Sequence, residues 1–245
     1  MKTSIEKSML IADLQHQILQ WQGFKQVERK ETGLGLGTLE RAFPGNVFPM
    51  GTLHEFISDN KEEEAASSGF LAGLLSFLMQ KDGVALWISS SDQPFAPAMT
   101  YFGLEPERII FVQMQKQVDI LWALEEGLKC TAVKVVVAEL QEINFVQSRR
   151  LQLVVEKSRV TGLLLRLQPR MLGATTCAAR WHIRTQMSHV EGDMPGVGFP
   201  TWKVELLKVK NGQSSCWQLA WTPRGLQVEQ LKAERTASSS KRKVG

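Results

Sequence analysis

The stretch VKVVVAE, residues 133–139, is almost unbroken in apolar, β-branched residues. A strand with one wet face alternates apolar and polar side chains, whereas a strand apolar at successive positions must bury both faces. Burial on both faces requires helices above and below, so this one segment points to a layered α/β sheet. The surrounding pattern agrees. Further strands are predicted at GTLHEFI (51–57), GVALWIS (83–89), RIIFVQ (108–113), TGLLLRL (161–167) and RWHIRT (180–185). Helices are predicted near 64–80, 94–102, 117–129 and 146–158. Alternating strands and helices imply parallel pairing with right-handed crossovers.

The style changes towards the end of the chain. TWKVELLKVK and SSCWQLAWTP flank Asn211-Gly212, a strong hairpin signal. Trp202, Val204 and Leu206 share one face at period two, and Trp217, Leu219 and Trp221 do the same on the second strand. The tryptophans are expected to cover the sheet rather than to stack on bases. At the other end, Leu10, Leu14 and Ile18 mark an amphipathic helix over 7–21. The expected organisation is an N-terminal helix and linker (1–34), a core with the C-terminal hairpin (35–228), and a disordered basic tail (229–245).

Composition narrows the function classes. No charged and then apolar leader opens the chain, and the longest apolar run, GFLAGLLSFLM (69–79), is too short to span a bilayer. A cytoplasmic protein without membrane contact is expected. Cys130, Cys177 and Cys216 lack metal or redox spacing and read as buried reduced thiols. The last 14 residues carry five basic side chains against one acid, which accounts for the whole net charge of +4. Residues 149–184 hold eight Lys and Arg against one acid, whereas 55–64 holds five acids and one lysine.

That acidic stretch lies where an α/β nucleotide-binding domain places its phosphate loop. The loop G-x-x-x-x-G-K-[ST] wraps phosphates with backbone N–H groups, adds a lysine, and holds Mg²⁺ on the hydroxyl. Here no glycine occurs between Gly51 and Gly69, and Lys61 is followed by glutamate. Asp59, Lys61, Glu62, Glu63 and Glu64 occupy the degenerate position. The glutamates would neutralise the helix N-terminus that otherwise attracts phosphate. Glu139 stands where the buried strand would end in a metal-coordinating aspartate. No metal motif and no cofactor are expected, and the chain is read as a non-enzyme.

GTLERAFPGNVFPMGTLHEF and LWISSSDQPFAPAMTYFGLEPERIIFVQ resemble the RecA ATPase core. DILWALEEGLKCTAVKVVVAEL, SRRLQLVVEKS and TGLLLRL are closer still to the ImuA family, the RecA-like accessory proteins of bacterial translesion mutagenesis. The resemblance covers roughly residues 35 to 225. It implies a RecA-like, mostly parallel α/β sheet and a role in the DNA-damage response. It also implies work beside ImuB, a Y-family polymerase homologue, and an error-prone C-family polymerase, with RecA a further partner of some members.

Two surfaces are expected to bind. The first comprises Trp122, Glu125 and Glu126 on one helix and Arg149 and Arg150 on the next. Trp122 is expected to pack in the core, and one arginine to pair with Glu126 or Glu139, leaving the other free. By the RecA resemblance, the second surface is a weak, non-specific DNA contact through Arg166, Arg170, Arg180 and Arg184, helped by Lys241, Arg242 and Lys243 in the tail. The competing readings are a divergent DNA-dependent ATPase and a cell-division inhibitor of the SulA type that binds FtsZ.

Overall fold

The computed structural model describes residues 34–80, 82–90, 96–189 and 198–230. Among the described residues nine strands form one sheet, in the order β3-β2-β4-β5-β1-β6-β7-β8-β9. They are β1 (Leu53–Ser58), β2 (Ala85–Ser89), β3 (Ile109–Gln113), β4 (Val135–Leu140), β5 (Thr161–Leu167), β6 (Ala179–His189), β7 (Phe199–Val209), β8 (Ser215–Thr222) and β9 (Gly225–Gln230). The first six run parallel and the last three extend the sheet antiparallel. The helices are α1 (Lys61–Met79), α2 (Ala96–Met99), α3 (Gln117–Lys129) and α4 (Phe145–Ser158). The expected α/β fold, mostly parallel with a C-terminal antiparallel hairpin, is what the chain adopts. The helix expected over 7–21 and, of the tail expected over 229–245, residues 231–245 with Lys241, Arg242 and Lys243 lie outside the described residues.

Strand β4 accounts for the two layers. Val135 and Val137 enter the core beneath α1, while Val136 and Ala138 enter the core beneath α3 and α4. All six β4 residues are buried. This is the consequence of burying both faces that the sequence required.

The tryptophan hairpin packs as expected. Trp202, Val204, Leu206, Trp217, Leu219 and Trp221 are all buried in the α1-side core. Helix α1 accommodates the large rings with two glycines. A Cβ on Gly73 would lie 2.9 Å from the Trp221 ring, and one on Gly69 would lie 3.3 Å from Trp202. A helical glycine costs about 1 kcal/mol relative to alanine. Burying indole surface offsets that cost. Strand β9 was not foreseen. It pairs with β8 from Thr222↔Gly225 outward, so a second hairpin follows the first. Gly225 takes a positive φ of 88° at that turn, and its sequence lacks the Asn-Gly signal that exposed the first.

Candidate functional site

Only Asp59 and Asn60 separate β1 from α1. This short turn occupies the degenerate phosphate-loop position, and side-chain oxygens of the chain engage two of its backbone donors. Asn60 caps the helix by accepting from the Glu63 N–H at 2.9 Å, and Glu63 Oε2 accepts from the Asp59 N–H at 2.8 Å. Glu64 Oε2 pairs with Lys61 Nζ at 2.7 Å, and Glu64 Oε1 accepts from Gln168. Two groups that would reach for phosphate, a helix N-terminal N–H and the lysine, are thus engaged by local side chains.

Glu63 also anchors β6. Its Oε2 lies 2.9 Å from His182 Nε2, and Arg184 Nη2 lies 3.2 Å from His182 Nδ1. Arginine only donates, so Nδ1 accepts and Nε2 carries the proton towards Glu63. Burial pushes the Glu63 carboxyl up. The Asp59 N–H, His182 and Arg184 together outweigh burial and hold it below the ordinary value. Asp59, Glu63 and His182 bring ligand-type atoms within 4.8 Å of one another. The Nε2–H set by Arg184 already bonds to Glu63, so a cation there would have to displace that proton beside a guanidinium.

Glu139, at the position read as degenerate Walker B, is buried at the end of β4. It accepts from Trp87 Nε1 at 3.1 Å and from the Ser90 N–H at 3.3 Å. Burial raises its pKa, and those two bonds only partly oppose the shift. A carboxyl engaged by an indole of the core is poorly disposed to hold a metal-bound water.

The arginines placed in the DNA-contact loop meet a different fate. Arg166 is fully buried, not a surface residue. Its Nη1 donates to Glu55 Oε1 at 2.6 Å, its Nη2 to Glu142 Oε2 at 3.1 Å, and its Nε to the Gln141 carbonyl at 2.8 Å. Arg180 Nε donates to the second Glu55 oxygen at 2.7 Å, and Thr175 Oγ1 also reaches that oxygen. A buried charge persists only when paired and hydrogen-bonded. Glu55 supplies that pairing from the centre of the sheet, so these arginines hold the 168–177 loop in place instead of presenting charge. Arg184 pairs with Glu205 at 2.7 Å. Arg170 stays exposed. Sequence reasoning missed Glu55; the signal was a lone acid inside the apolar strand LHEFI.

The partner-facing group is also redistributed. Trp122 is 62% exposed and does not join the core. The buried stripe of α3 runs through Ile120, Ala123, Leu124, Gly127 and Leu128, which turns Val118 and Trp122 outward together. Arg150 pairs at 2.6 Å with Glu125, rather than with Glu126 or Glu139, and so ties α4 to α3. Glu126 is held by Lys129 at 2.7 Å. Arg149 is exposed. Beside these residues Phe145, Val146 and Leu153 on α4 are exposed as well. Large apolar side chains grouped on adjoining helices are unusual for a surface with no partner. Of the thiols, Cys177 is buried and pushed up to about 12 chiefly by burial. Cys130, expected inside, is exposed.

The chain is 30% identical to Protein ImuA of Caulobacter vibrioides over 197 residues, spanning 76% of this chain and 81% of that protein. The same match recurs in a second strain of that organism. This chain belongs to the ImuA family. That membership places it in the bacterial response to DNA damage and in mutagenesis. No family model matches the chain. Among the described residues, no helix of this ImuA-family chain is long and apolar enough to cross a membrane.

Proposed function

We propose that this ImuA-family chain is a non-catalytic adaptor in error-prone translesion synthesis. It would bind a Y-family polymerase homologue of the ImuB type and, through it, an error-prone C-family polymerase, with RecA as a further partner. The observation that carries this reading is the set of exposed apolar side chains on the adjoining helices, Val118 and Trp122 on α3 and Phe145, Val146 and Leu153 on α4. Exposed tryptophan is a residue type enriched in binding hot spots. The two-residue turn at the phosphate-loop position, closed by Asn60 and Glu63, supports the non-catalytic part. A DNA contact through Arg166 and Arg180 is not proposed, because Glu55 and Glu142 consume their charge.

The test is a tagged pull-down from DNA-damaged cells read by mass spectrometry. Wild type is expected to recover the polymerase homologue, and Trp122→Ala to lose it. Recovery of FtsZ without a polymerase component would instead establish the division-inhibitor reading. Mg²⁺-ATP binding by calorimetry, lost on mutation of the 59–64 turn, would establish the ATPase reading.

A further inference from the structure

A groove of about 270 Å³ runs between α4 and the start of β6. Its walls include Arg149, Gln152 and Glu156 from α4, Thr176 from the loop before β6, and Lys208 and Lys210 at the end of β7. Three cations thus face one acid. Lys208 Nζ spends one of its donors on the Thr175 carbonyl at 3.3 Å, leaving two. Gln152 orients itself by donating from Nε2 to Glu156 Oε1 at 3.3 Å. This fixes Gln152 Oε1 away from Glu156, and among the described residues neither that oxygen nor Thr176 Oγ1 has a hydrogen-bond partner. Both atoms are buried, so an occupant bonds to either only after its side chain rotates into the groove. The groove therefore offers positive charge together with an acceptor in need of a donor.

We propose that this groove receives an acidic segment of a protein partner, an aspartate or glutamate carboxylate with its adjoining backbone N–H. The carboxylate meets Arg149, Lys208 and Lys210, and the N–H satisfies Gln152. This rests on the adaptor reading and names the chemistry of the partner at the flank of α4 away from α3. At 100° per residue, Arg149, Gln152 and Glu156 project to one side of α4, with the exposed Val146 and Leu153 next to them. An aliphatic residue flanking the acid would cover that pair. Nucleic acid fits less well. A phosphate backbone following the groove would pass Glu156 within it, whereas a single carboxylate need not.

The experiment selects phage-displayed random dodecapeptides on the full chain and measures the winners by fluorescence anisotropy. The expected result is enrichment of Asp or Glu beside an aliphatic residue, with binding weakened by added salt. Arg149→Glu with Lys210→Glu should reduce affinity at least tenfold without lowering Tm, since both side chains are exposed. Gln152→Leu should weaken binding several-fold while leaving Tm unchanged or higher, because it removes an unsatisfied acceptor. Selection of peptides without acids, or affinity indifferent to the charge reversal, overturns the proposal. So does a labelled dT20 strand bound by wild type and lost on charge reversal when no acidic peptide is selected. If no acidic peptide binds but the polymerase homologue is still captured by wild type, the groove proposal fails and the adaptor reading stands.

Discussion

Arg166 and Arg149 come from one run of sequence in which basic residues outnumber acidic ones eight to one, and they end in opposite environments. Arg166 is fully buried on β5, sharing Glu55 with Arg180. Arg149 stands in water on α4 beside exposed valine and leucine. The difference shows that a charge-rich stretch is not a binding surface until its counter-charges are located. Glu55 and Glu142 lie far away in sequence or on another element, and they withdraw the charge of one arginine pair. Arg150 is held at the surface by Glu125, and Arg149 is exposed.

The sharpest way to break that contrast is to remove one buried partner. Arg166→Met should destabilise the fold by about 3–5 kcal/mol by leaving Glu55 short of a cation. Urea denaturation would measure it, and a loss under about 1 kcal/mol would mean the buried network is not what holds the 168–177 loop.

Buried titratable groups should also set the acid limb. Burial lowers His54 to about 4, against its Nε2 contact to the Pro49 carbonyl at 2.8 Å. A depressed pKa stabilises the fold above the unfolded value and loses that contribution as pH falls to the folded one. Stability should therefore drop between about 6.5 and about 4. His54→Phe should flatten that slope in denaturation midpoints recorded against pH, and an unchanged slope would assign the acid limb elsewhere.

Glu139 provides the opposite sign. Its pKa is raised, so its ionised form disfavours folding as pH climbs through the folded value. Glu139→Gln should raise Tm at pH 7 to 8 and lose that advantage in acid, a crossover visible by scanning calorimetry.

The smallest stability effects belong to the exposed face. Trp122→Ala and Arg149→Ala should each change stability by less than about 0.5 kcal/mol. Trp122→Ala should nonetheless abolish capture of the polymerase homologue. A marked fall in Tm for Trp122→Ala would return that residue to a packing role.

Much of the architecture was legible because it depends on local periodicity. The doubly apolar β4 and the Asn-Gly hairpin both announced themselves. The β8–β9 hairpin did not, since its turn, Thr222-Pro223-Arg224-Gly225, carries a weaker signal and its strand is largely polar. The candidate site was read less well. The buried stripe of α3 could have been found by aligning Ile120, Ala123, Leu124, Gly127 and Leu128 at helical spacing, and it would have put Trp122 outside. The pairing of Arg166 with Glu55 joins residues 111 positions apart, and no local pattern encodes it.

By itself, then, the sequence determined the layered α/β sheet, the short acidic turn in place of a phosphate loop and the resemblance to the ImuA family. Each depends on the order of side chains within one element or across one turn. Only the tertiary structure decided which arginines are spent inside, which tryptophan faces water and which cations line one groove with Gln152 and Thr176. Those outcomes depend on parallel pairing of β1 with β5 and β6, and on α3 lying beside α4. Coulombic and packing energies act through distance in space, and folding brings the relevant charges together from more than a hundred residues apart.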